Sequence, residues 1–265
     1  MDNKLKWGSA FCATVVALGL YIDNKPAVPL DINNPTTLNY ENVLRGARKS
    51  DPAAQHILGM SYLYGNREYN IPKNAAKSQE WLRKAADNAH PAAAYEYARS
   101  ISETNPKAAE IYYNLAITKG FTPALFSLAQ LKIYEGTPDS VKEGLTLLVY
   151  AAGTAKDPIA RAYLAVLQYE GAGIQKNRID AILGMQKAVD TAPTPETRND
   201  WDMKQKQWTA TLTTKEKDEL SERLLMDSFD SSEAFTPKDA SKISPKDIST
   251  LIDNLPVNRA KAVAK

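Results

Sequence analysis

A chain of 265 residues with 43% hydrophobic side chains is long enough to bury a large core, and its single cysteine excludes an internal disulfide framework. Thirty-three basic against 31 acidic residues leave a net charge of +2, which argues against a broad nucleic-acid-binding surface. Two histidines and one cysteine leave little material for a zinc site or a nucleophile–histidine pair.

The first predicted element is a leader. Lys4 and Lys6 precede Trp7–Ile22, sixteen residues without a charge, and Asp23, Lys25 and Pro26 close the run. A basic start followed by an apolar stretch has the form of an export signal. The run is short for a spanning helix, yet flanking lysines can snorkel, so cleaved signal and uncleaved anchor both stand for residues 1–25. Either way the lysines favour a cytoplasmic N-terminus with the rest exported, and for a bacterial protein the expected location is the periplasm. Residues 26–36 read as a linker.

From residue 37 to 190 the chain repeats. Asp51-Pro52, His90-Pro91, Thr122-Pro123 and Asp157-Pro158 recur with prolines 39, 32 and 35 apart. Proline suits the first helical position, where its missing N–H has no helical acceptor to lose. An alanine follows each junction (Ala54, Ala93, Ala124, Ala160). Four residues on comes a large–small pair: Leu58-Gly59, Tyr97-Ala98, Leu128-Ala129 and Leu164-Ala165. The large member predicts a core anchor, the small one a close approach by a neighbouring helix. Breaks at Gly65, Asn105-Pro106, Gly136 and Gly171 separate each first helix from a second, marked by Ala85, Ala116, Ala151 and Ala188. Units of this size cannot bury their apolar faces alone, so the pattern predicts an all-α, right-handed α-solenoid of helix-turn-helix repeats. Residues 37–50 read as a preceding half-repeat.

Residues 191–230 are predicted to cap the solenoid. Thr191–Thr197 breaks the repeat pattern, and Asn199–Met226 reads as helix with a second start at Thr213-Thr214. Trp201 and Trp208 are assigned to the interior of that cap. The tail, 231–265, holds one amphipathic helix near 245–255, where Ser244-Pro245 precedes Ile248, Leu251, Ile252 and Leu255. Two fates are open for it: folding back on the solenoid, or serving as a peptide for another protein.

Three stretches resemble the Sel1-like repeat. They are LGMSYLYG at 58–65, AAKSQEWLRKAADNA at 75–89 and YEGAGIQKNRIDAI at 169–182. Repeats at 51–89 and 157–190 fit best, and those at 90–121 and 122–156 are degenerate. The resemblance implies a TPR-like protein–protein scaffold of the kind found in bacterial envelope, secretion and signalling systems. With no cysteine after residue 12, the chain departs from the disulfide-stapled branch of that family.

No catalytic motif stands out: there is no H-E-x-x-H, Walker loop, G-x-S-x-G or Cys/His cluster. No catalytic, cofactor or metal residue is therefore assigned, and no cofactor is expected. His90 is expected to cap or pack at its helix start, as Asp51 and Asp157 do. The candidate binding surface is a stripe on the first helices: His56, Met60, Tyr95, Arg99, Phe126, Gln130 and Tyr169. In such solenoids the first helices line a concave groove, and the aromatic, Met and Arg side chains are types that recur in binding hot spots. The aliphatic positions of the stripe, such as Ile133, Ala162 and Val166, read instead as packing between repeats. The expected partner is another protein, either a secreted effector or a component of an envelope complex, with no nucleic acid. Membrane contact is expected only through residues 7–22 if they are retained. An exported adaptor of the envelope or secretion machinery is the leading reading. Its alternatives are an immunity protein blocking an antibacterial lipase-type effector of type VI secretion in the periplasm, and a hydrolase using paired carboxylates.

Overall fold

The computed structural model describes residues 39–226, and the leader, the linker and the tail with its 245–255 helix lie outside them. Eleven helices make up the described chain: α1 (Tyr40–Arg48), α2 (Pro52–Tyr64), α3 (Ala75–Asp87), α4 (Pro91–Ile101), α5 (Pro106–Thr118), α6 (Pro123–Glu135), α7 (Pro138–Gly153), α8 (Pro158–Glu170), α9 (Arg178–Asp190), α10 (Pro195–Ala210) and α11 (Thr214–Met226). Among the described residues the sole β pairing is an isolated bridge between Asn66 and Ile71 that pins the α2–α3 loop. None of these helices is long and apolar enough to cross a membrane.

All four X-Pro junctions open a helix with proline in its first turn. Asp51 Oδ1 accepts from Ala53 and Ala54 N–H at 2.9 and 3.2 Å, and Asp157 Oδ1 accepts from Ile159 and Ala160 N–H at 2.8 and 3.0 Å. Such caps satisfy N–H groups that the helix itself leaves without acceptors. His90 does the same with its ring, Nδ1 accepting from Ala93 N–H at 3.2 Å. Thr122 makes no side-chain cap bond. At the other ends, Gly136 and Gly171 adopt the left-handed conformation, with φ of +78° and +74°, that lets a chain leave a helix without a Cβ clash. Second helices α3 and α9 begin alike: Asn74 and Asn177 cap them with their side chains and donate backbone N–H back to Tyr62 O and Gln168 O of the preceding helix.

The described residues fall into two compact units, divided between Phe121 and Thr122. In the first, contacts run mainly between chain neighbours, α1 on α2, α2 on α3, α3 on α4 and α4 on α5, with a smaller one between the first helices α2 and α4. Val43 and Ala47 of the half-repeat helix join Ala54, Leu58 and Ile71 in one cluster, and Leu82, Ala85 and Ala93 form the next. The large–small pair works as its sequence suggests: a Cβ on Gly59 would lie 2.7 Å from Leu82 Cγ, so α3 packs where glycine leaves room. In the second unit α6 through α10 pack on their chain neighbours in the same way, and α11 packs back on α9. Its interior holds Leu128, Leu145, Leu148, Leu167, Ile182, Met185 and Trp201.

The cap differs from expectation at its start. Helix α10 begins at Pro195, four residues before Asn199, because Thr194 Oγ1 accepts from Thr197 N–H at 3.2 Å and proline again takes the first helical position. The break is therefore only the short turn at 191–194. The start of α11 lies at the Thr213-Thr214 step: Thr213 N–H donates to Glu216 Oε2 at 2.8 Å, and Glu216 N–H returns to Thr213 Oγ1 at 3.4 Å. This is a reciprocal capping box.

Candidate functional site

In the first unit the stripe residues fall into two local groups. His56 is half-buried and stacks on the His90 ring, centroids 4.4 Å apart and planes 23° from parallel. Met60 packs against the Leu82–Ala85–Ala93 cluster, so much of its side chain is committed to the core. Tyr95 and Arg99, one turn apart on α4, form the second group. Tyr95 sits 5.1 Å from the Phe121 ring and 6.1 Å from Tyr113. The Arg99 guanidinium lies 5.7 Å above Tyr95 and donates Nη1–H to Glu96 Oε2 at 3.2 Å.

Arg99 is exposed to 42% while its Glu96 partner is exposed to only 16%. Burial works against the Arg99 charge, but Glu96 and the neighbouring tyrosines outweigh it and hold the guanidinium firmly protonated. Burial pushes the Glu96 carboxyl up, and Arg99 offsets part of that rise. The result is a cation held against an aromatic ring, with part of its side chain open to solvent. A long side chain held in this way loses less rotamer freedom on binding than a free one. A second polar tie in this unit joins α5 to the end of α3: Tyr112 O–H donates to Asp87 Oδ1 at 2.8 Å. Burial and that bond push the phenol up to about 12.

The histidine stack has a consequence for pH. Burial, with the nearby His90 second, lowers the His56 pKa to about 4; burial lowers His90 also, against the pull of Asp51. Nδ1 of His90 must be unprotonated to accept from Ala93 N–H. An unfolded chain takes up protons near pH 6.5 that folded His56 refuses until about 4, so stability is full above 6.5 and declines as pH falls toward 4. Discounted for partial exposure, the His56 contribution between pH 7 and 5 is roughly 1 kcal/mol. Thermal unfolding at the two pH values should show a His56→Phe variant, which keeps the ring stack, losing less stability on acidification than the parent. An equal loss in both would remove His56 from the explanation.

In the second unit Phe126 meets Tyr163 edge-on at 4.6 Å, and Gln130 Nε2–H donates to the Tyr163 hydroxyl at 3.1 Å. Tyr163 is buried, so these two stripe residues help to lock α6 against α8. Tyr169 lies flat on Trp208, centroids 4.2 Å apart and planes 7° apart. Arg178 fastens this stack. Its Nη2–H groups donate to Thr211 Oγ1 at 2.6 Å, Thr211 O at 2.9 Å and Tyr169 Oη at 3.3 Å, and Nη1–H donates to Glu216 Oε1 at 3.0 Å. Arg223 pairs with the buried Asp180 at 2.5 Å, a second link from α11 to α9. Of the aliphatic stripe members, Ile133, Ala162 and Val166 are buried and Leu63 is half-buried.

Of the seven stripe residues, Arg99 is exposed, and the remaining six are half-buried, with packing or hydrogen-bond partners of their own. Sequence reasoning missed Glu96, Phe121, Tyr163 and Arg178 as their partners. Phe121 lay directly before a recognised junction, and Glu96 three before Arg99, at helical pairing distance. Among the described residues no group of three or more His, Cys, Asp or Glu side chains converges to hold a metal ion. The buried Asp180 and the half-buried Glu96 are each committed to an arginine.

Comparison with known proteins identifies the repeats. The sequence model of the Sel1 repeat matches residues 52–90, 92–121 and 158–189. No match arises among curated proteins. The fold is similar to a Sel1 repeat protein from Oxalobacter formigenes, with TM-score 0.51 and 23% identity over 57% of this chain and 61% of that one. It is also similar to c5321 of uropathogenic Escherichia coli, a protective antigen displaying an SLR fold, with TM-score 0.52 and 19% identity over 80% of this chain and 50% of that one. The chain thus spans about three fifths and half of the lengths of these two proteins. The described residues form all-α repeats of the solenoid kind, and 122–156 forms the same helical hairpin although it lies outside the matched segments.

Proposed function

We propose that this chain, a Sel1-like repeat protein by its three matched segments, is a non-enzymatic scaffold that binds another protein through the Tyr95–Arg99 patch of its first unit. The observation that supports this most is the Arg99 guanidinium, exposed yet held in place by Glu96 over Tyr95. Arginine and tyrosine at the centre of an ordered patch are the types that dominate binding energy when buried by a partner. The geometry favours a partner that presents a carboxylate, because the planar guanidinium can bind one with two parallel N–H groups. Within this reading the protein is exported, with residues 7–22 as signal or anchor, and serves an envelope or secretion assembly.

The test is affinity purification of the tagged full chain from its native host, with mass spectrometry of what co-purifies. A specific protein retained by the parent and by a Lys107→Ala control should be lost with Arg99→Glu. A loss of about 2 kcal/mol, some thirtyfold in affinity, is expected for Arg99→Ala alone. Retention at full strength by Arg99→Glu would contradict the patch as the binding site. The identity of the captured protein separates an adaptor, which would bring envelope machinery, from an immunity protein, which would bring a toxic effector.

A further inference from the structure

Helices α9, α10 and α11 enclose a groove of about 480 Å³ in the second unit. Ile182 and Leu183 line it from α9, Leu220 and Leu224 from α11, and Lys206 and Lys217 stand at its rim. Leu224 is 55% exposed and the adjacent Leu225 is 88% exposed, so the apolar edge of α11 has little cover among the described residues. Exposed apolar surface of this kind marks a site of contact.

We propose that this groove is the docking site for residues 244–255 of the same chain. Three observations favour this occupant. The first is position: Leu224 lies two residues before the end of α11, so the chain leaves that helix beside the groove. Residues 227–243 separate α11 from Ser244, and a chain of that length can reach at most about 60 Å, which keeps the segment within reach of the groove. The second is pattern. Ile248, Leu251, Ile252 and Leu255 form a single apolar stripe at helical spacing behind the Ser244-Pro245 start. Such a helix is about 16 Å long, short enough to lie along a thirteen-residue helix such as α11. The third is charge: Asp247 and Asp253 outnumber Lys246 in the segment, and Lys217 in the groove lining is the complement of that net negative charge. The proposal does not depend on the Tyr95–Arg99 patch, which belongs to the other unit.

Hydrogen exchange of the full chain at low micromolar concentration tests it. An isolated eleven-residue helix is marginal in water, so protection of residues 246–255 reports docking. Their amides should exchange at least about tenfold more slowly than in the corresponding free peptide. Leu224→Asp, at an exposed groove position, and Leu251→Asp, outside the described helices, should each erase that protection while circular dichroism stays native. Unprotected amides in the parent, or protection that survives both substitutions, would overturn the proposal. Protection that rises with protein concentration would also overturn it, because the groove would then be taking the tail of a second copy.

Discussion

A Trp201→Ala variant is expected to lose about 4 kcal/mol of stability in its second unit, whereas Trp201→Phe should lose only about 1–2 kcal/mol. Trp201 is fully buried on α10, the helix that packs on α9 and closes the repeat stack. Trp201 is the largest fully buried side chain of this unit, so removing its ring opens a large cavity, and native stabilities are only about 5–15 kcal/mol in total. The contrast with phenylalanine comes from the buried ring volume that a phenyl group keeps, and the indole N–H that both variants remove adds little to either loss. That N–H has no hydrogen-bond partner among the described residues, so a phenyl ring forfeits volume and no bond. Denaturant unfolding followed by circular dichroism measures both variants. Equal losses would mean that the indole nitrogen contributes to stability after all.

The second large effect belongs to Gly144, inside α7. A Cβ there would stand 2.7 Å from Ala129 O and 2.7 Å from Ile133 Cγ1, both on α6. The carbonyl belongs to helix backbone and cannot rotate aside, so α6 and α7 must separate to admit a side chain. Gly144→Val should cost about 3 kcal/mol or more. Gly144→Ala gains up to about 1 kcal/mol of helix propensity, yet it should still be destabilising because the contact is below any normal Cβ distance. Lys142→Ala, two residues away on an exposed position, should be nearly neutral and serves as the reference in the same melts. A stable Gly144→Val protein would show that the α6–α7 approach is looser than described.

The helix starts were legible because proline and a capping side chain act locally. Pro52, Pro91, Pro123 and Pro158 each open a helix, and Thr194-Pro195 obeys the same chemistry although it was assigned to a break. The partners of the stripe were not legible, for a different reason. Gln55 meets Asn88 and Gln130 meets Tyr163, each pair 33 residues apart, and His56 meets His90 across 34. These contacts join equivalent places in successive repeats, so they depend on how hairpins stack, which no local signal encodes. A search for complementary side chains one repeat apart would have found them. Arg178 could not be found even so. It is an ordinary first-turn residue of α9 until the cap brings Thr211 and Glu216 onto it.

The stripe reading also shows what periodicity alone misjudges. Phe126, Gln130 and Tyr169 share the face of Tyr95 and Arg99 in the pattern, yet they spend their rings and amide on Tyr163, Trp208 and Thr211. A hydrophobic pattern says which side of a helix is apolar; the next repeat decides whether that side is covered. Arg99 keeps an exposed face because its charge finds Glu96 on its own helix.

The most direct test of the account is a titration of the captured partner against the purified parent and Arg99→Ala, run beside thermal unfolding of both. Binding at the Tyr95–Arg99 patch predicts a dissociation constant raised about thirtyfold by Arg99→Ala with the unfolding temperature unchanged. An unchanged dissociation constant would contradict it, and so would a loss of affinity matched by a loss of fold.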